Sequence, residues 1–309
     1  MKIAIFGSGG VGGYFGGRLA QAGQDVTFIA RGAHLAAIKE SGLRVDSIGG
    51  DFVIKPAQAT DSPGSLGRVD LIILTVKSWQ LDGAIEGMRP LVGDGTMILP
   101  LMNGIEHMDA LQSAFGIEHV LGGLCRISSF IAEPGHIGHV GIQPMIAFGE
   151  LDNAKSDRVE SLRQMFSAIP GIVVETPANV TVAMWDKFIF ISATSGVGAV
   201  TRQTMGEYRS NPETREILRH ALEETAAVGR ARGVPLPETI VNEIMGRIGA
   251  IQPHVIASMQ KDIMEGRPSE LEAQTGAVIR MGHALNIPVP THEKIYEALL
   301  PLEKKARGN

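Results

Sequence analysis

"MKIAIFGSGGVGGYFGGRLAQAGQDVTFIARG", residues 1–32, carries seven glycines among its first seventeen residues. The residues around them are regular. "KIAIF" is a short β-branched run that predicts a strand, "VGGYFGGRLAQAG" has helix-compatible spacing up to Gly23, and "DVTFIA" predicts a second strand. In this strand, turn, helix, strand order, Gly7, Gly9 and Gly12 form G-x-G-x-x-G. Each glycine has its own reason: Gly7 permits the tight turn, Gly9 lets backbone approach a pyrophosphate, and Gly12 allows close packing of helix on sheet. The helix start then faces the phosphates with unpaired N–H groups and the positive end of its dipole. A glycine-rich turn with a merely structural role is the alternative. Gly13, Gly16 and Gly17 lower helix propensity, which close packing of the helix on the sheet would explain.

The end of the second strand distinguishes the dinucleotides. NAD enzymes usually place a carboxylate there for the ribose 2′-hydroxyl, whereas "FIARG" supplies Ala30 and then Arg31. A guanidinium grips a 2′-phosphate through charge-assisted bonds that a carboxylate would oppose, so NADP(H) is the expected cofactor. An arginine in a surface βα loop is the competing reading.

At 309 residues the chain is longer than a usual single core, which favours two domains. The formal net charge of -5, mixed in sign and without a long lysine or arginine run, gives no footprint for nucleic acid. Cys125 is the one cysteine, so no internal disulfide is expected, and the scattered histidines lack metal-ligand spacing. The chain passes directly into "KIAIF" and glycine, too short for a signal-peptide apolar region. The longest uncharged apolar run, "FIFISATSGVGAV", is shorter than a bilayer span. No membrane partner is expected, and the expected location is the cytoplasm.

Beyond Arg31 the pattern predicts a helix near "AHLAAIKE" and a β-ribbon of "LRVDS" with "FVIKPA". "LIILTV" and "MILPLM" are continuous apolar runs of the kind found in parallel strands buried on both faces, with a helix near "LDGAIEGMRPL" between them. "HVLGGL" and two long segments joined by an "EPG" turn read as further strands, followed by the helix "AKSDRVESLRQMFSAI" and the short strand "GIVVET". From Asn179 onward strand signals give way to six long helical patterns, among them "PHVIASMQKDIMEG" from Pro253 and two opened by "NPET" and "LPET". The expected fold class is α/β: an N-terminal Rossmann-like, doubly wound sheet over residues 1–177 and an all-helical domain over 178–309. Such a pairing normally puts substrate over the carboxyl ends of the strands.

Lys77 ends "LIILTVK" and Asn103 ends "MILPLMN" before Gly104, matching positions past two strands, although either could be a solvated loop residue. Lys187, inside "MWDKFIFISATSG", is set among apolar residues. If buried, its pKa falls toward the range in which it can protonate a reduced carbonyl oxygen; the alternative is a lysine snorkelling beside Asp186.

With these residues in place, the sequence resembles the ketopantoate reductase (2-dehydropantoate 2-reductase) family over essentially its whole length, through "GSGGVGGYFGGRLAQAG", "TVKSWQ", "PLMNGI", "MWDKF" and "SMQKDIMEGRPSELE". The last pairs a Ser-Met with a glutamate twelve positions on, here Ser258 and Glu270. The resemblance implies that Gly7, Gly9, Gly10, Gly12 and Arg31 bind NADP(H), and that Lys77 and Asn103 support the nicotinamide end, Asn103 also reaching substrate. It further implies Lys187 as general acid, Ser258 on the substrate carboxylate and Glu270 assisting the hydroxyl. By itself Glu270 reads as a solvated helix carboxylate.

The chain departs from the family at one place. Many members carry asparagine four and eight residues after the catalytic lysine, where the amides contact substrate; here Ile191 and Ser195 occupy those substrate-binding positions. The implied activity is NADPH-dependent reduction of a 2-oxo acid, with ketopantoate to pantoate in coenzyme A biosynthesis as the first candidate. A more apolar 2-oxo acid and a non-catalytic NADP-binding sensor are the alternatives, and a 3-hydroxy-acid dehydrogenase is opposed by the Ser258 to Glu270 segment. The expected partner is a small-molecule 2-oxo acid, with a homodimer as the candidate assembly.

Overall fold

The opening β-branched run forms a strand at the middle of a sheet in the computed structural model, which describes residues 1–308. By residue contacts the described chain divides into two units, one of 1–102 with 107–180, the other of 103–106 with 181 onward. The first contains, in order, β1 (Lys2–Phe6), α1 (Gly10–Gln21), β2 (Asp25–Ile29), α2 (Gly32–Ser41), β3 (Leu43–Ser47), β4 (Phe52–Ile54) and β5 (Gln58–Thr60). It continues with β6 (Leu71–Leu74), α3 (Leu81–Met88), β7 (Met97–Pro100), α4 (His107–Phe115), β8 (Gly122–Glu133), β9 (His136–Gly149), α5 (Asp157–Ser167) and β10 (Val173–Glu175).

One sheet is wholly parallel, in the order β5-β2-β1-β6-β7. Leu71 to Leu74 and Ile3 to Ile5 are fully buried, as uninterrupted apolar runs require when both faces of a sheet are covered. The later strands do not extend this sheet. β10, β9, β3 and β4 make a second one, with β8 antiparallel along β9 and the β3–β4 ribbon antiparallel. The single sheet expected up to Pro177 is therefore two.

α1 explains the division and its own composition. Cβ atoms at Gly12 and Gly16 would lie 2.9 and 2.6 Å from Ile5 of the first sheet. Those at Gly13 and Gly17 would lie 2.7 Å from Ile137 and 3.0 Å from Phe52 of the second. The glycines form two stripes at a spacing of four, one for each sheet, so the helix is pressed between two layers that a side chain would force apart.

The second unit has α6 (Val180–Thr201, entering the unit at Thr181), α7 (Met205–Ser210), α8 (Pro212–Ala231), α9 (Ile240–Ala250) and α10 (Ser258–Met264). A π-helical stretch, Glu272–Gly276, leads into α11 (Ala277–Ala284) and α12 (Pro290–Ala306). No strand occurs among its described residues. Asn211 caps α8 by accepting the Glu213 N–H at 2.9 Å, with Pro212 at the first helical position. "PHVIASMQKDIMEG" is helical only from Ser258. Before it, the Pro253 and Val255 carbonyls accept the N–H groups of Gly206 and Met205 at 2.8 and 2.9 Å, so this backbone serves the start of α7. The short α4 and α7 have no counterpart in the sequence reading. Among the described residues no helix is long and apolar enough to cross a membrane.

Candidate functional site

In the first unit, the turn after β1 is built around Gly7, whose φ of 105° lies in the left-handed region; a Cβ there would be 2.8 Å from the Thr75 carbonyl carbon. The Thr75 hydroxyl donates to the Gly7 carbonyl at 2.5 Å. Gly9 caps α1, with no side-chain cap and no acidic residue in the first turn, and a Cβ at Gly9 would meet nothing within 4 Å. The first amides of α1 thus stand beside an open backbone edge with no negative side chain of the turn to repel an anion, which fits a dinucleotide pyrophosphate. Gly10 has a different constraint, since a Cβ there would lie 2.5 Å from the Ser129 carbonyl oxygen of β8. Its lack of a side chain serves packing, while its N–H belongs to the α1 start.

His34 ties this turn to the β8–β9 connection. Its Nδ1 accepts the Gly135 N–H at 3.0 Å, which leaves Nε2–H to donate to the Ser8 carbonyl at 2.8 Å. Burial holds its pKa below the ordinary histidine value, against the opposing pull of the Ser8 carbonyl. Arg31 lies two residues beyond the end of β2, is exposed, and occupies the N-cap position of α2. Lys77, three residues beyond β6, is also exposed; its Nζ lies 5.8 Å from the Trp79 ring centroid.

In the second unit, Asn103 and Glu270 meet. Asn103 Nδ2 donates to Glu270 Oε2 at 3.0 Å. Glu270 is 3% exposed, so it is a buried carboxylate rather than a solvated one on a helix. The chain around Asn103 is held flat against the π-helical stretch: Gly104 has φ 90°, and a Cβ there would be 2.9 Å from the Ala273 carbonyl. Arg280 closes the other end, donating to both carboxylate oxygens of Glu106 at 3.2 and 2.6 Å and to Glu272 Oε2 at 3.0 Å. Four residues from the first half of the sequence are thereby built into the helical unit.

Lys187, Ile191 and Ser195 follow one another at a spacing of four along continuous α6, and so share a face. Lys187 and Ile191 are half-buried and Ser195 is buried; Asp186 ion-pairs with Arg247 at 2.5 Å. Ser258 is the exposed first residue of α10. Thr75, His34, and the Ser269, Glu303 and Arg307 group are absent from the sequence reading. Thr75, His34 and Ser269 find partners 34 or more positions away, which no local pattern marks, and the i,i+4 pair of Glu303 with Arg307 carries no sign that it meets Ser269. Among the described residues no group of three or more His, Cys, Asp or Glu side chains could hold a metal ion.

A parallel sheet with a glycine turn after its central strand is the architecture of a dinucleotide-binding protein, and the helical unit that follows it in sequence carries a buried carboxylate. Residues 3–153 match the family model described as ketopantoate reductase PanE/ApbA, and residues 179–303 match its C-terminal counterpart. The solved structure of a PanE/ApbA family ketopantoate reductase from Ralstonia eutropha JMP134 is 32% identical, with a TM-score of 0.89 over 99% of this chain and 100% of that one. The uncharacterized oxidoreductase YkpB of Bacillus subtilis is 30% identical over 97% of this chain and 98% of its own. The 2-dehydropantoate 2-reductase of Mesorhizobium japonicum is 29% identical over 96% and 95%. The chain belongs to the ketopantoate reductase family. It is an NADP-dependent oxidoreductase of the kind that reduces 2-oxo acids.

Proposed function

We propose that this protein reduces ketopantoate to pantoate with NADPH, in the cytoplasm, as a step of pantothenate and coenzyme A biosynthesis. The observation that carries the reading is the buried Glu270 carboxylate held by Asn103, because a sequestered acceptor of this kind suits a hydroxylated substrate. Residues 1–177 are assigned to NADP binding and 178–309 to substrate binding and catalysis, with Asn103–Glu106 contributed to the second set by the first.

Bound NADPH supplies the hydride. Gly7, Gly9, Gly10 and Gly12 present backbone to its pyrophosphate, Arg31 pairs with the 2′-phosphate, and Lys77 and Asn103 support the nicotinamide end. Lys187 Nζ stabilises the alkoxide that forms on the carbonyl oxygen and then passes it a proton. Ser258 donates to the substrate carboxylate and Glu270 accepts from a substrate hydroxyl. Ile191, on the Lys187 face, favours a second reading in which the substrate is a more apolar 2-oxo acid, with Ser195 the small polar residue beside it.

The test is turnover of a panel of 2-oxo acids by the purified protein with NADPH. Ketopantoate is expected to show the highest kcat/KM, and Lys187→Ala to lower kcat by roughly 10²-fold or more with NADPH affinity nearly unchanged. A preference for alkyl 2-oxo acids selects the second reading. Cofactor binding without turnover of any of them would instead indicate a sensor.

A further inference from the structure

The segment that carries Glu270 is held by the far end of the chain. Glu303, near the end of α12, is 3% exposed, and its two oxygens accept the Ser269 N–H at 3.1 and 3.0 Å. Glu303 Oε2 also accepts the Ser269 hydroxyl at 2.6 Å, and Oε1 accepts Arg307 Nε at 2.6 Å. Arg307 Nη2 returns to the Ser269 carbonyl at 2.9 Å. Ser269 Oγ in turn accepts the Leu271 N–H at 3.2 Å, and the Glu270 carbonyl accepts the Gln274 N–H at 3.0 Å. The backbone on both sides of Glu270 is therefore fixed by hydrogen bonds, the Ser269 N–H and hydroxyl being tied to Glu303 of α12 and the Ser269 carbonyl to Arg307, the residue that follows α12.

A buried carboxylate paired with a guanidinium is an expensive way to hold two segments together, because well-packed apolar residues of similar volume would serve stability as well or better. Its advantage is geometric: charged hydrogen bonds are short and directional, and they set an orientation that apolar contact leaves loose. We infer that Ser269, Glu303 and Arg307 act as a clip whose role is to position Glu270 for the reaction. The inference rests on the catalytic reading of Glu270 given above. The three are positioning residues, and none of them is assigned a contact with substrate or cofactor.

Misplacing a reacting group by a fraction of an ångström reduces turnover without weakening cofactor binding, so Glu303→Gln should lower kcat by about 10-fold or more while the KM for NADPH stays within about 2-fold. The deciding measurement combines it with Glu270→Gln in the full-length enzyme. If the clip acts through Glu270, the double variant is no slower than Glu270→Gln alone. Losses that multiply, or wild-type kcat in Glu303→Gln, overturn the clip. Wild-type kcat in Glu270→Gln itself is a different pattern: it removes the catalytic reading of Glu270, and the clip's purpose with it. Should Glu303→Gln fail to fold by near-ultraviolet circular dichroism, Ser269→Ala, which removes only a hydroxyl, is read in the same cycle by the same criteria.

Discussion

Asn103 and Glu270 are 167 positions apart in sequence and joined by a 3.0 Å hydrogen bond in space. One follows the last strand of the parallel sheet and the other precedes the π-helical stretch of the second unit. The amide thereby supports a buried negative charge, which makes it more than a loop residue past a strand end.

Removing that donor should show in catalysis. A hydrogen bond to a charged group contributes about 1.5–3 kcal/mol, so Asn103→Ala should lower kcat by roughly 10- to 150-fold. A dissociation constant for NADPH that stays near wild type, measured by fluorescence titration, assigns the loss to Glu270. Weakened cofactor binding at normal kcat would mean that the amide serves the nicotinamide end alone and that its bond to Glu270 does not matter for turnover.

The glycines at the cap of α1 and along it divide into two kinds that substitution separates. At Gly9 a Cβ meets nothing within 4 Å and φ is -76°, so Gly9→Ala should keep its Tm while weakening NADPH binding about 10-fold or more, because the methyl would stand on the edge proposed for the pyrophosphate. At Gly16 a Cβ would be 2.6 Å from Ile5 and 2.7 Å from Phe28, so Gly16→Ala should cost about 1–3 kcal/mol by overpacking. Thermal melts and cofactor titrations of the pair check both halves. Equal Tm values in the two variants would contradict the stripe.

Cofactor choice should rest on Arg31. With an exposed guanidinium at the end of β2, NADPH should bind at least ~10-fold tighter than NADH, a difference of about 1.4 kcal/mol, and Arg31→Ala should shrink it. Equal dissociation constants in the unmodified protein would remove the assignment.

Isoleucine at position 191 should set the substrate ratio. If it lines the substrate, an unpaired polar group costs on the order of 1–3 kcal/mol, and Ile191→Asn should raise kcat/KM for ketopantoate relative to an alkyl 2-oxo acid of similar size by about 5- to 150-fold. An unchanged ratio means that residue 191 does not face the substrate.

Acid should loosen the glycine turn through His34. Burial lowers its folded pKa below the 6.5 of an unfolded histidine, so the unfolded chain takes up the proton first as pH falls. The stabilisation is complete above pH 6.5 and is lost as pH drops through the lower folded value, where protonated Nδ1 can no longer accept the Gly135 N–H. Urea unfolding midpoints between pH 8 and 5 should fall more steeply for wild type than for His34→Asn; parallel curves would show that His34 does not contribute.

The sequence by itself determined the features that depend on neighbours along the chain. β1, the Gly7 turn and α1 follow from consecutive residues, as do the exposed Arg31 after β2, the Asn211–Pro212 cap of α8 and the four-residue spacing of Lys187, Ile191 and Ser195 on α6. Strand and helix periodicities and turn chemistry act over a few residues and are legible there. Tertiary structure decided what depends on partners far along the chain. The same runs of strand residues fit one sheet or two, and the choice lies in pairings such as Val45 with Ile137, which set the second layer against Gly13 and Gly17. The helix expected from Pro253 begins only at Ser258, because the carbonyls before it are engaged by α7. Glu270 reads as a solvated carboxylate until Asn103, Ser269, Glu303 and Arg307 are brought around it. Burial and long-range hydrogen bonding arise only when distant segments pack, and local propensity carries no record of which segments will meet.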